Sequence, residues 1–197
     1  GNHVTLDGIR QLLTNLDRSR RLEVADVGCG SGDMLRLIRN FLRRKNIDAN
    51  LIGLDANPNI VAYATAHTPS QFEIDFETED IFSQEFKRRT FDILTGTLFF
   101  HHFTDDELTS FFSQLNKQVR IGMVINDIHR HWFAFYSIKW LTRILSRSSM
   151  VQNDAPVSVM RAFKRGELIR ILEAAGLRNY RIRWMWAFRW QVVVRFQ

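Results

Sequence analysis

The stretch Val24-Ala25-Asp26-Val27-Gly28-Cys29-Gly30-Ser31-Gly32-Asp33 decides the fold. An apolar run leads into three glycines at alternate positions, with the only cysteine of the chain between the first two. Directly after it, Met34, Leu37, Ile38, Phe41 and Leu42 recur at helical spacing. A strand that turns through glycines into a helix lets a ligand approach the backbone closely. Where strands and helices alternate, such a turn lies at the carboxyl ends of the strands, where ligands bind.

The spacing disfavours two common occupants. The dinucleotide fingerprint Gly-x-Gly-x-x-Gly requires a third glycine where Asp33 stands, and the Gly-Lys-Ser/Thr ending of a phosphate loop is absent. No lysine or arginine lies in the loop, while Asp26 and Asp33 flank it, so a pyrophosphate is not expected there. Taken alone, the glycines are equally compatible with a tight turn that holds nothing.

Outward from the loop, strands and helices alternate. Residues 23–28 read as a buried strand and residues 50–55 as a second, with Asn57 capping the next helix and Pro58 in its first turn. Residues 72–76 and 91–96 read as strands three and four. Thr104 and Glu107 form a capping-box pattern ahead of the face Leu108, Phe111, Phe112, Leu115. A fifth strand covers residues 121–127, and an apolar, aromatic segment at residues 132–145 reads as helical. Leu168, Ile171, Leu172 and Ala175 stripe a last helix ended by Gly176, and residues 181–186 and 190–196 suggest a closing hairpin. This order implies an α/β fold: a doubly wound, mostly parallel sheet of seven strands with an antiparallel C-terminal hairpin at its edge. One domain over residues 1–197 is expected.

The 197 residues are 45% hydrophobic and 24% charged, as in ordinary globular domains. No apolar run is long enough to span a bilayer, and no signal segment opens the chain, so a cytoplasmic protein without stable membrane insertion is expected. The abrupt start at Gly1 is compatible with a missing upstream segment. Cys29 stands alone, which excludes an internal disulfide and fits a reducing compartment. The net charge of +6 invites nucleic acid or anionic lipid as a partner, but the cations are scattered and read as a solvated surface.

Later residues sharpen the meaning of the loop. Asp55 ends strand two, where a carboxylate accepts from ribose hydroxyls. Glu79-Asp80-Ile81 follows strand three, where a carboxylate and an apolar neighbour suit an adenine. VADVGCGSG, LIGLDANP, EDIF and FDILTGTLFFHHF together resemble the successive motifs of the class I S-adenosylmethionine-dependent methyltransferases, over nearly the whole chain. AFKRGELIRILEAAGL is similar to the late helix of small-molecule members, the quinone- and polyketide-pathway methyltransferases among them. The resemblance implies a Rossmann-like fold and S-adenosyl-L-methionine as cofactor. It places Asp26 and the loop Gly28, Cys29, Gly30, Ser31 and Gly32 at the methionine part. Asp55, followed by Ala56 and Asn57, takes the ribose; Asp80 and Ile81 take the adenine; Thr97 and Leu98 lie beside the cofactor.

The residues also narrow the chemistry. The Asp/Asn-Pro-Pro-aromatic motif of amino-group DNA methylation is absent, and the one cysteine sits in the loop rather than where a cytosine nucleophile would stand. No metal is expected, since strand four ends without an acid and the later pair is reversed as Asn126-Asp127. Methyl transfer to a hydroxyl requires a place for its proton, and histidine titrates in the right range. His102 is the first candidate, with His101 expected to point elsewhere; His129, near His131, is the second. The aromatic segment from Trp132 suggests a small, largely apolar or aromatic acceptor and O-methylation. The rival readings are an RNA-directed methyltransferase, a cofactor-binding domain without catalysis, and an NAD-dependent oxidoreductase.

Overall fold

The alternating strands assemble into a seven-stranded sheet of order β3-β2-β1-β4-β5-β7-β6. The computed structural model describes residues 1–14, 20–130, 162–186 and 188–196. Strands β1 (Leu22–Val27), β2 (Ala49–Asp55), β3 (Ile74–Thr78), β4 (Phe91–Thr97) and β5 (Val119–Ile128) are mutually parallel; β7 (Arg189–Arg195) runs antiparallel to both β5 and β6 (Tyr180–Met185). The closing hairpin therefore enters the sheet by its second strand, and of its two strands only β6 lies at an edge. Composition explains the order: Val192, Val193 and Val194 are buried on both faces of β7, whereas β6 alternates arginines with apolar residues and tolerates an open side.

Six helices accompany these strands among the described residues: α1 (Asn2–Leu12), α2 (Asp33–Arg44), α3 (Pro58–His67), α4 (Gln84–Arg88), α5 (Asp105–Leu115) and α6 (Arg165–Ala174). The alternation of β1 shows how they divide. Val24 packs with Ile9, Leu12, Leu35 and Ile38 of α1 and α2, while Ala25 and Val27 face the core shared by Phe86, Phe111 and Leu172 of α4, α5 and α6. The caps read from the sequence are present. Asn57 accepts from Asn59 N at 3.0 Å, and Thr104 and Glu107 close a reciprocal capping box.

The third strand and the first helix differ from the sequence reading. Strand β3 begins at Ile74 rather than residue 72, because Ser70–Phe72 forms a 3-10 turn and Glu73 takes a left-handed φ of 50°. Helix α1 has no counterpart in the sequence reading. Its buried residues Val4, Thr5, Gly8, Ile9 and Leu12 follow helical spacing, but a threonine and a glycine interrupt the apolar stripe. Gly8 is needed for contact, since a Cβ there would meet Val124 Cγ1 of β5 at 2.5 Å. The apolar segment beginning at Trp132, with His131, lies outside the described residues.

At the amino end of the sheet, away from the glycine loop, the buried carboxylate of Asp92 ties three elements together. It accepts from Arg20 Nη1 at 2.9 Å, Arg120 Nε at 2.8 Å and Glu23 N at 2.8 Å. Burial alone would raise its pKa, but the donors from Arg20, Arg120 and Glu23 outweigh it and hold the carboxyl down at about 2. Because the folded value lies below the unfolded one, this stabilisation is complete above about pH 4 and is lost as pH falls towards 2. Asp92→Asn should cost about 1–3 kcal/mol in urea unfolding at pH 7, and the difference from the parent should shrink steadily below pH 4.

Candidate functional site

The site is built at the carboxyl ends of β1, β2, β4 and β5. The loop after β1 turns through Gly28, Gly30 and Gly32, all at positive φ. Two of them face different surroundings. A Cβ on Gly28 would meet the Phe99 ring at 2.0 Å, so that glycine exists to let Phe99 lie on the loop. A Cβ on Gly30 would meet nothing within 4 Å, so Gly30 is the open part of the turn. Gly32 is the N-cap of α2, and Ser31 Oγ donates to Asp33 Oδ2 at 2.6 Å.

Asp55 sits beside that open turn. Its Oδ2 accepts from Gly30 N at 3.2 Å and its Oδ1 from Asn57 N at 3.0 Å. One donor per oxygen leaves a lone pair on each, the capacity needed to accept from two neighbouring hydroxyls. Ala56 and Asn57 are exposed next to it. Glu79 N donates to Asp55 O at 3.0 Å, which brings the turn after β3 alongside. There Asp80 is exposed, with Oδ1 accepting from Phe82 N at 2.9 Å, while Ile81 is buried in the core.

Asp26 lies on the α1 and α2 side of the sheet, fully buried, with Thr95 Oγ1 donating to it at 2.6 Å. Burial raises its pKa to about 7, and the Thr95 hydrogen bond only partly opposes the rise. Cys29 turns inward: a Cβ on Gly53 of β2 would meet its sulfur at 2.9 Å. Burial, then the nearby Asp26 and Asp55, push its thiol up to about 12, which removes it as a nucleophile at neutral pH.

The far wall is the segment leaving β4. Thr97 Oγ1 shares a hydrogen bond with Thr5 Oγ1 of α1 at 3.0 Å. Leu98 is exposed at a left-handed φ of 57° and donates its N–H to Asn126 O at 2.9 Å. The 3-10 turn Phe100–His102 follows, and Asp127 anchors it. Asp127 Oδ2 accepts from Phe100 N at 2.9 Å and His101 N at 3.2 Å, and Oδ1 accepts from His101 Nδ1 at 2.7 Å. His101 is buried, and the ring of exposed His102 lies 4.2 Å from its own. The carboxylate-oriented histidine is thus His101, which the sequence alone did not single out; the signal was Asp127 at the end of β5. His129 is placed differently. Trp184 Nε1 donates to its Nδ1 at 3.2 Å, so in the neutral ring the proton is on Nε2 and the one acceptor nitrogen is engaged. Among the described residues, no group of three or more His, Cys, Asp or Glu is arranged to hold a metal ion.

Residues 24–122, just over half of the chain, match the family profile described as a methyltransferase domain. A phosphoethanolamine N-methyltransferase of Triticum aestivum is 27% identical over 90 residues, 45% of this chain and 17% of that protein. Among solved structures, the CurJ carbon methyltransferase superposes with a TM-score of 0.71 at 14% identity, over 98% of this chain and 53% of that one. Magnesium protoporphyrin IX methyltransferase ChlM of Synechocystis PCC 6803, solved with bound SAH, gives a TM-score of 0.62 at 15% identity, over 100% of this chain and 84% of that one. The chain therefore spans about half the length of the CurJ structure and a small part of the wheat protein.

Asp26 supplies a test of the site's electrostatics. Its folded pKa lies above the unfolded one, so the folded protein holds the extra proton and loses stability as pH rises from about 4 through about 7. Asp26→Asn removes that titration. Relative to the parent, the variant should gain about 1–3 kcal/mol between pH 5 and pH 8, read by urea unfolding at both values.

Proposed function

The chain belongs to the methyltransferase domain family, and on that premise we propose that it binds S-adenosylmethionine and transfers its methyl group to a hydroxyl oxygen of a small, largely apolar or aromatic acceptor. The observation that carries this reading is the open turn at Gly30 beside the Asp55 carboxylate, at the same carboxyl edge of the sheet as the histidine turn. The residues fit the group: the turn at Gly30 is bare, Asp55 has lone pairs for the ribose hydroxyls, and the buried carboxyl of Asp26 suits the methionine ammonium. When bound, S-adenosylmethionine supplies a methyl group already activated on a sulfonium.

What the chain must add is placement and a destination for the proton. In this reading Asp55 and the loop Gly28–Gly32 hold the cofactor's polar ends, exposed Asp80 borders the adenine with buried Ile81 packed behind it, and Thr97 and Leu98 border the methyl end. His102, the exposed member of the histidine turn, accepts the proton from the acceptor hydroxyl. Asp127 and His101 hold that turn in place. A second reading rests on one observation: Asp127 Oδ1 keeps the proton on His101 Nδ1 and leaves the lone pair on its Nε2, the arrangement of an oriented base. His129 ranks below both, because its acceptor nitrogen is already hydrogen-bonded to Trp184.

The acceptor site itself is assigned to the aromatic segment that starts at Trp132. The scattered charge supports a small molecule over RNA, and the lone cysteine supports a cytoplasmic setting. The relatives named above carry N-, C- and other methyltransferase names, and the choice of a hydroxyl oxygen here rests on the histidine turn.

Calorimetry should show saturable binding of S-adenosylmethionine or its demethylated product and none of NAD, with Asp55→Ala weakening it by about 1–3 kcal/mol. A saturating NAD signal with no heat from either adenosyl compound overturns the assignment. For transfer, His102→Ala should lower kcat by roughly 10²–10⁴-fold with cofactor affinity nearly unchanged. If His101→Ala shows that loss and His102→Ala does not, the second reading is the correct one.

A further inference from the structure

We propose that Arg189 receives a carboxylate of the acceptor, so that the substrate class is an aromatic or apolar hydroxy acid; the inference rests on the methyl-transfer reading above and deepens it. Arg189 opens β7 and is in register with Ile128 at the carboxyl end of β5. Side chains alternate along a strand, so it shares a face with Gln191, which donates to Val4 O and to Asp7 of α1. The guanidinium meets the start of that helix: a Cβ on Gly1 would lie 3.5 Å from Arg189 Nη2. Asn126 Nδ2 donates to the carbonyl of the same Gly1 at 3.1 Å and to Thr5 Oγ1 at 3.0 Å, and Thr5 Oγ1 shares its hydrogen bond with Thr97 Oγ1. A run of contacts thus leads from Arg189 to Thr97, the residue assigned above to the methyl end of the cofactor.

Arg189 is set apart by a donor with nothing to bond. Its Nη1 is buried without a hydrogen-bond partner, and no carboxylate of the described residues pairs with its charge. Burial lowers its pKa, and Asp127 opposes this only in part. Asp127 faces the opposite layer and already accepts four donors. Asp7, the acid of α1, is taken by Arg183 at 3.4 Å and by the side-chain amides of Gln11 and Gln191, and the first turn of α1 holds no acid. Asp105, Asp106 and Glu107 open α5, which packs on the other face of the sheet. Asp26, Asp55 and Asp80 belong to β1, β2 and the turn after β3, at least three strands or about 14 Å from β7. Asn126 Oδ1 is also buried without a donor, but a neutral amide leaves the charge uncompensated. A buried cation without an anion is costly, and a carboxylate, with two oxygens matched to the guanidinium fork, removes that cost.

Strand order selects the source of the carboxylate. In the reading above the methionine part of the cofactor lies at the loop after β1, three strands from β7. Thr97 ends β4, only two strands or about 10 Å away. One aromatic ring and the reach of the arginine side chain cover that span. An acceptor lying across the end of β5 presents its hydroxyl towards the segment after β4 and its carboxylate to Arg189. A bidentate contact at the far end also fixes the orientation of the reacting end.

The experiment is calorimetric titration of the full chain, with and without S-adenosylhomocysteine, using 4-hydroxybenzoate and 4-hydroxycinnamate as probes, each against its own amide. At least one acid should bind about tenfold or more tightly than its amide. Arg189→Gln should abolish that preference, and Arg189→Lys should keep part of it, because lysine retains the charge without the fork. The urea midpoint of Arg189→Gln should equal or exceed the parent's, since the fold itself leaves the guanidinium unpaired. No binding of either acid at millimolar concentration overturns the proposal, as does a preference for the acid that survives in Arg189→Gln. A midpoint well below the parent's makes the guanidinium structural and overturns it equally. If Arg189→Gln weakens S-adenosylhomocysteine by about tenfold, the subsite belongs to the methionine carboxylate and the acceptor assignment falls. A parent that takes the acid but not S-adenosylhomocysteine upholds the carboxylate subsite and overturns the methyl-transfer reading instead.

Discussion

The candidate site depends on one buried carboxylate. Asp127 accepts four donors: the backbone N–H groups of Phe100, His101 and Ile128, and Nδ1 of His101. A carboxylate taken out of water without donors would be costly, and here both oxygens are satisfied by groups from the segment after β4 and from Asp127's own strand. Those bonds fix where the chain goes after it leaves the sheet. Without them, the histidines would sit on an untethered turn at the mouth of the site.

The neighbouring Asn126 shows why one dipeptide serves two layers. Successive side chains of a strand point to opposite faces. Asp127 faces the layer of α5 and α6 and takes the histidine turn. Asn126 faces α1, where its Nδ2 donates to Thr5 Oγ1 at 3.0 Å and to Gly1 O at 3.1 Å. Gln191 on β7, in register with Asn126, continues the seam by donating to Val4 O at 2.7 Å and Asp7 Oδ2 at 3.1 Å. Helix α1 is therefore held by buried polar bonds near the site and by apolar contacts, Leu12 among them, farther along. The sequence reading used the order of Asn126 and Asp127 only to argue against a metal. The pair's alternation along β5 gives each residue its own role.

What was legible in the sequence was what depends on local pattern. The glycine turn, the carboxylate closing β2, the caps at Asn57 and Thr104 and the valine-rich β7 all announce themselves within a few residues. Helix α1 was hidden because its buried face carries Thr5 and Gly8, chosen for a hydroxyl contact and a close approach that no local pattern reveals. The choice between His101 and His102 was equally hidden. Two adjacent histidines differ only in which one a carboxylate 26 positions away can reach. The inner position of β7 is a matter of which strand can be buried twice, and the composition carried that information only when the two strands of the hairpin were weighed against each other.

The segment leaving β4 shows how the site is held from several sides at once. Thr97 bonds to α1, Leu98 N–H bonds to β5, the Phe99 ring lies on Gly28 of the first loop, and Phe100 and His101 bond to Asp127. Consecutive residues thus reach separate elements, and the chain achieves this by turning at Leu98 in a left-handed conformation that disfavours a leucine by roughly 1 kcal/mol or more. A residue kept in such a conformation implies that the surroundings over-determine it. The bonds on either side of Leu98 supply that determination, and the result is an apolar side chain held 38% exposed on the rim between the glycine turn and the histidines. An exposed leucine there costs stability twice, in backbone strain and in unburied surface. Both costs are consistent with a position shaped for what enters the site rather than for the fold.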